Sequence, residues 1–408
     1  MKKTITIFLL LFSGLFACTS AIISGKATPD GRPLLWKHRD TGSLENKLVF
    51  ITESGFDFLG VANATDLKSE EIWMGMNEKG FAIMNTASYN INEGLSLDIE
   101  RDQEGIFMRQ ALESCANLHD FELMLDRTSG KRGIDANFGV IDARGNAAFY
   151  ETGFYEHTKF DVNDPEIAPE GYLIRTNFSF TGKGDKGVGY IRYDATSALF
   201  AKQNEFTPEF IMKEATRNMD HGLLINDIGN TKLPKDLGDV KMLDFQDYII
   251  RYYSASVLVV QGTQPGEDPG NAVLWTILGF PMTTMVTPVF FSKEIDLPQV
   301  LTTQSTDAPF LSAASIALKD EFFPVKFDDK KNYIDVSKIK NRKKTGYMQR
   351  VMKAEDLIIE KARHVMESRS KDSIENYYKW LDQYIYDFYA PIIPTEKLKY
   401  DLPRCAVE

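Results

Sequence analysis

Leu15-Phe16-Ala17-Cys18-Thr19-Ser20-Ala21-Ile22-Ile23 is the stretch on which the fold turns. Before it stand Lys2 and Lys3, an apolar run from Ile5 to Phe12, and small residues ending at Ala17. That is the pattern of a secretory signal peptide over residues 1–17, with the cut after Ala17. The cut would make Cys18 the first residue, carrying a thiol and a free α-amine together. Reference pKa values of about 8.5 and about 7.7–8.0 leave the amine partly neutral near pH 7, able to take the thiol proton. Directly after it, Ala21-Ile22-Ile23 is apolar and β-branched and reads as a core strand. The chain therefore sets a reactive cysteine at the open end of a buried strand.

Leu15-Phe16-Ala17-Cys18 also resembles a lipoprotein signal, which would acylate both groups of Cys18 and leave a lipid-anchored periplasmic binding protein. Phe16 is bulky where such signals carry a small residue, and no polar tether separates Cys18 from the strand. The cut leaves 391 of 408 residues and moves the net charge from −11 to −13, because two lysines leave with the leader. An acidic chain without a basic cluster argues against nucleic acid and anionic membranes. The run from Ala272 to Phe291 is interrupted by Gly279, Pro281 and Pro288, so it reads as buried strands rather than a membrane span. Neither a metal-ligand spacing nor a phosphate loop is present, so neither metal nor cofactor is expected. Cys115 reads as a buried thiol, with pairing to Cys405 left open.

Outward from Cys18, short strand candidates follow: Ala21 to Ser24, Pro33 to Trp36, Lys47 to Ile51, Phe81 to Met84, Val257 to Val260 and Leu274 to Leu278. Phe138 to Asp142 and Ala147 to Glu151 form a hairpin across Ala143-Arg144-Gly145-Asn146. Helices are expected from Gln103 to Asn117, from Phe121 to Asp126, from Tyr193 to Phe200 and after the Thr207-Pro208 cap. The last hundred residues turn helical, with Leu357, Ile358, Ala362 and Val365, then Ile374, Tyr377, Leu381, Tyr384 and Phe388, at helical spacing. The expected organisation is a core over residues 18–310 with a helical extension over 311–408 packed on it.

Specific strings follow in order: Cys18-Thr19-Ser20-Ala21, then Asp30-Gly31-Arg32-Pro33-Leu34-Leu35-Trp36-Lys37-His38-Arg39-Asp40, then Gly75-Met76-Asn77-Glu78-Lys79-Gly80, Arg175-Thr176-Asn177-Phe178 and Gly189-Tyr190-Ile191-Arg192-Tyr193. Together they resemble the N-terminal-nucleophile cysteine hydrolases of the choloylglycine hydrolase and isopenicillin N acyltransferase group. The resemblance implies an α+β fold, a four-layer αββα sandwich with an added C-terminal helical region. It also implies hydrolysis, or acyl transfer, of a linear carbon–nitrogen amide bond in a small N-acyl substrate. Self-association stays open, and the leader implies a periplasmic or secreted protein.

In that group Asp40 would be held beside the α-amine of Cys18. Asn85 would supply an oxyanion donor, with the Thr86 or Ala87 backbone as alternatives, and Asn177 the second. Arg192 would lie near the sulfur. The group usually carries an arginine three residues before the aspartate. This chain has Lys37 there and Arg39 two residues on, so either could face the substrate, and a lysine lacks arginine's planar fork. His38 shares a strand face with Asp40, but the built-in amine leaves it no task as a base, so it reads as structural. The loops from Glu53 to Ser69 and from Tyr89 to Glu104 would shape an apolar acyl pocket.

Overall fold

Thr19–Ile23 forms β1, buried along its length, and three fully buried aliphatic or β-branched side chains, Ala21, Ile22 and Ile23, hold it in the core. Burying each large aliphatic side chain is worth about 1.5–3 kcal/mol. The computed structural model describes residues 17–52, 55–92, 94–95, 100–224, 233–327 and 330–393. In chain order these form β2 (Leu34–Asp40), β3 (Asn46–Ile51), β4 (Phe58–Asn63), β5 (Met74–Asn77), β6 (Ala82–Ala87), α1 (Glu104–Ser114), α2 (Leu118–Arg127), β7 (Ala136–Ile141), β8 (Ala147–Thr152), β9 (His157–Asp161), β10 (Tyr172–Arg175) and α3 (Tyr190–Phe200). Then come α4 (Pro208–Phe210), β11 (Met242–Asp244), β12 (Ser254–Gln261), β13 (Val273–Leu278), β14 (Thr287–Phe290), α5 (Phe310–Phe322), β15 (Val325–Phe327), β16 (Lys330–Asp335), α6 (Val336–Ile339), α7 (Tyr347–Ser368) and α8 (Lys371–Tyr389).

Two antiparallel sheets dominate, in the orders β10-β1-β2-β12-β13-β14 and β3-β4-β5-β6-β7-β8-β9. Alternation along the strands shows how they stack. On β6, Ala82 and Met84 join the core shared with β1, β2 and β12, whereas Ile83 joins a second core with α1 and α2. On the six-stranded sheet, Trp36 stacks on Phe200 of α3 and Phe290 stacks on Tyr378 of α8. The layers therefore run helices, sheet, sheet, helices, which is the expected αββα sandwich. The sheets close tightly at Gly139, where a Cβ would come within 2.2 Å of Met84 and 2.9 Å of Ile22.

The turn over Asn77 to Gly80 joins β5 to β6. Gly80 has φ +75°, and buried Asn77 donates to the Leu112 and Cys115 carbonyls (2.8 Å each), closing the end of α1. α7 is tied in by Glu355, whose carboxylate receives Arg217 and the Val286 amide in the interior. Two expectations shift. The helix after Thr207 is one turn that passes into a π-helical turn over Ile211–Ala215. The C-terminal region also holds a hairpin, β15–β16, which pairs with β11 in a separate three-stranded sheet. Among the described residues no helix is long and apolar enough to cross a membrane.

Candidate active site

Cys18 lies one step before β1, and the β1–β2 register, Thr19 opposite His38 and Ser20 opposite Lys37, carries it opposite Arg39. It is buried, with Sγ 4.0 Å from the Asp40 carbonyl. Arg192, on the first turn of α3, places its guanidinium over this strand end. Nη1 donates to the Cys18 carbonyl (2.5 Å) and to Thr19 Oγ1 (2.9 Å), and Nη2 donates to Asn177 Oδ1 (2.8 Å). Asn177 in turn donates from Nδ2 to the Ala87 carbonyl at 2.9 Å. Its loop is latched by buried Ser179 and Asn90, since Ser179 Oγ donates to Asn137 Oδ1 and Asn90 Oδ1 accepts the Ser179 amide. Asn177, Arg192 and Cys18, scattered over 174 positions, are thus one connected cluster.

β2 splits its polar residues between two faces. Trp36, His38 and Asp40 look toward the helices, and Lys37 and Arg39 look toward the other sheet. Asp40 Oδ1 accepts from Ser254 Oγ (2.7 Å) and Oδ2 from Arg251 Nε (2.9 Å). Arg251 Nη2 also reaches the Ala17 carbonyl at 3.4 Å, so one guanidinium spans the carboxylate and the residue before Cys18. His38 Nε2 lies 2.8 Å from Ser254 Oγ, and burial lowers its pKa to about 4. Ser254 and Arg251 were not singled out in the sequence. They sit more than 200 residues from Asp40, with no motif around them.

On the opposite face, Lys37 Nζ donates to Asn85 Oδ1 (2.6 Å) and to the Trp73 carbonyl (2.7 Å). The β5–β6 ladder ends at Met74 opposite Met84, and Lys37 bridges the next pair of positions. Arg39 donates to Asn46 Oδ1 (2.7 Å) and Asn63 Oδ1 (3.0 Å) and lies 4.6 Å over the Trp73 ring. Burial drives the pKa of Lys37 down to about 7 and those of Arg39 and Arg192 to about 10, and the charge of Cys18 acts on all three in the opposite direction. Both candidate cations therefore feel the charge of Cys18, while Asn85 joins the cluster through Lys37. Burial also raises Glu104, near Lys37, to about 7.

Of the two expected specificity loops, Tyr89 is close enough for Cys18's charge to reinforce the upward shift that burial gives its phenol. Leu67 and Lys68 instead line a separate groove of about 850 Å³ with Phe50, Ile106 and Arg109. Residues 53, 54, 93 and 96–99 of those loops lie outside the described residues, as do the leader before Ala17 and Cys405. Cys115 is buried, and its thiol is pushed up to about 11, chiefly by burial. That inert thiol gives no second nucleophile. Among the described residues no group of His, Cys, Asp and Glu could hold a metal ion.

Residues 29–214 match the family model of acyl-coenzyme A:6-aminopenicillanic acid acyl-transferase. That span holds Lys37, Arg39, Asp40, Asn85, Asn177 and Arg192 and begins after Cys18. The resemblance drawn from the motifs is borne out by it. No curated protein matches the sequence. Similar solved structures include a Caenorhabditis elegans ortholog of N-acylethanolamine-hydrolyzing acid amidase (14% identity, 61% of this chain and 94% of that one, TM-score 0.40). A mutant conjugated bile acid hydrolase from Clostridium perfringens is 12% identical over 68% of this chain and 93% of its own, TM-score 0.39. Penicillin V acylase from Agrobacterium tumefaciens is 12% identical over 68% and 86%, TM-score 0.38.

Proposed function

We propose that this chain, similar over residues 29–214 to an amide hydrolase and acyltransferase family, is exported and cut after Ala17, and that Cys18 then opens amide bonds of N-acyl substrates. The observation that carries this reading is the convergence of Asp40, Asn177 and Arg192 on the end of β1, from three distant segments. The cut frees the α-amine and removes Ala17, whose carbonyl Arg251 now holds and which is itself buried. Cys18 sulfur then bonds to the substrate carbonyl carbon as its proton passes to the α-amine. The oxyanion meets amide hydrogens of Asn177 and Asn85, whose oxygen Lys37 already holds. The carbon–nitrogen bond breaks as the α-ammonium returns the proton to the leaving amine. Water, or an acceptor amine, attacks the thioester carbon and restores the thiol. A lipidated sulfur would have to leave this interior position, which counts against the anchor reading.

Charge narrows the substrate. Lys37, Arg39 and Arg192 are buried, and their hydrogen-bond acceptors are all uncharged. An amide bearing a negative charge near the scissile bond would offset that excess. The test is a panel of N-acyl amides with matched acyl chains and neutral or anionic amine halves, run on exported protein whose first residue is established by N-terminal sequencing. Cys18→Ser is expected to lower turnover about 10³-fold with export intact. Unchanged turnover in that variant sinks the reading.

A further inference from the structure

The Asp40 carboxylate is held by Ser254 and Arg251, two side chains with no assigned role. Ser254 Oγ has one hydrogen and sits among three partners: Asp40 Oδ1 at 2.7 Å, His38 Nε2 at 2.8 Å and the Arg251 amide at 2.9 Å. An ionised carboxylate only accepts, so Ser254 gives it the hydrogen. The hydroxyl oxygen then accepts from the Arg251 amide and from His38, which must carry its hydrogen on Nε2. His38 Nδ1 is buried without a hydrogen-bond partner. Burial keeps the imidazole neutral, and the chain His38 to Ser254 to Asp40 then has a single proton order. His38, Ser254 and Asp40 are each at most 1% exposed, so water does not compete for these bonds.

We propose that His38 and Ser254 are positioning residues for the reaction, locking the Asp40 carboxylate in one orientation beside the Cys18 amine. The inference rests on the nucleophile reading above. With Oδ1 held by Ser254 and Oδ2 by Arg251, the carboxylate cannot rotate without breaking two bonds. Arg251, bonded to both Asp40 and the Ala17 carbonyl, carries that fixed orientation to the position where the α-amine forms. The charged groups facing His38 are Asp40 on its own strand, Arg192 from α3 and Arg251 from the segment before β12. Burial, aided by Arg192 and Arg251 and opposed by Asp40, keeps the imidazole neutral, so it neither donates from Nδ1 nor competes with the α-amine as base.

The experiment uses the mature protein beginning at Cys18. Ser254→Ala and His38→Leu are compared with Ser254→Thr, which keeps the hydroxyl, and His38→Gln, which keeps a donor near Nε2. Two readouts are taken: kcat and KM against pH on a turned-over N-acyl amide, and the rate of Cys18 alkylation by iodoacetamide against pH. The expected result is a 10- to 100-fold fall in kcat for Ser254→Ala and His38→Leu, KM within about twofold, and a displaced pH limb in both readouts. Ser254→Thr and His38→Gln are expected within about threefold of wild type. Unmoved pH limbs with kcat within twofold in Ser254→Ala would overturn the inference, as would His38→Gln behaving like His38→Leu. Ser254→Ala removes a single atom and decides the matter if His38→Leu does not fold. Alkylation needs no substrate, so loss of all turnover in wild type overturns the hydrolase reading while alkylation still tests the hold on Asp40.

Discussion

A buried ammonium bonded to uncharged acceptors costs free energy for as long as it keeps its proton. Lys37 is in that state. Its pKa falls from 10.5 to about 7 on folding, so between those values the unfolded chain binds more protons than the folded one. Stability then rises with pH across that window, and the penalty is complete below pH 7. Lys37→Met removes the penalty but strands the Trp73 carbonyl and Asn85 Oδ1. The variant-minus-wild-type difference in melting temperature is therefore expected to be more positive at pH 6 than at pH 9. Calorimetry at the two pH values checks it, and a pH-independent difference refutes it. His38 has the same sign in another window: its pKa falls from 6.5 to about 4, so its contribution is present above pH 6.5 and is lost as pH falls toward 4. A glutamine at position 38 does not titrate, so the melting temperature of His38→Gln relative to wild type is expected to rise as pH drops from 7 to 5. A flat difference over that range would tell against a neutral buried imidazole.

Among the elements, two contacts set how the layers meet. Gly139 on β7 packs closely under β1 of the other sheet, with no room for a methyl group against Met84 and Ile22. Gly139→Ala should cost about 1–3 kcal/mol by urea unfolding, the usual range for overpacking. On the far side, Glu355 of α7 meets Arg217 in the interior and also takes the Val286 amide. Glu355→Ala leaves a buried guanidinium without its anion and is expected to cost about 3–5 kcal/mol. Strands and long helices were legible because burial writes itself into periodicity: β1, β3, β8, β13, α7 and α8 fall where apolar spacing puts them. The β15–β16 hairpin was not. Val325 and Tyr333 are exposed, so no alternating pattern marks it. The π-helical turn after Pro208 was hidden as well, since the Thr207 cap announces a helix start and says nothing of its pitch.

At the scale of the molecule, the αββα layering and the cluster at Cys18, Asp40, Asn177 and Arg192 could be read from ordered motifs. What supports Asp40 could not. Ser254 and Arg251 lie beyond the stretch of ordered motifs, and they reach β2 only because β12 inserts beside it. On the proposed reading activity is tied to processing, because Ala17 is buried and its carbonyl is engaged by Arg251. A variant in which the cut is blocked, such as Ala17→Trp, is expected to lack turnover, and turnover by uncut protein would refute this coupling. Mass spectrometry of the exported product, alongside the activity assay, makes that measurement.

The insertion of β12 between β2 and β13 also bears on time. β2 is made early, yet its neighbour on that side arrives more than 200 residues later, with Asp40 paired to Ser254. Contacts of such sequence separation close slowly. A ribosome that has released Cys18, Asp40, Asn177 and Arg192 has not yet supplied Arg251 or Ser254. Until then Cys18 exists without its completed surroundings, which form only when β12 is in place beside β2. On the proposed reading the topology works as a clock, holding the thiol idle until β12 has followed β2 out of the ribosome.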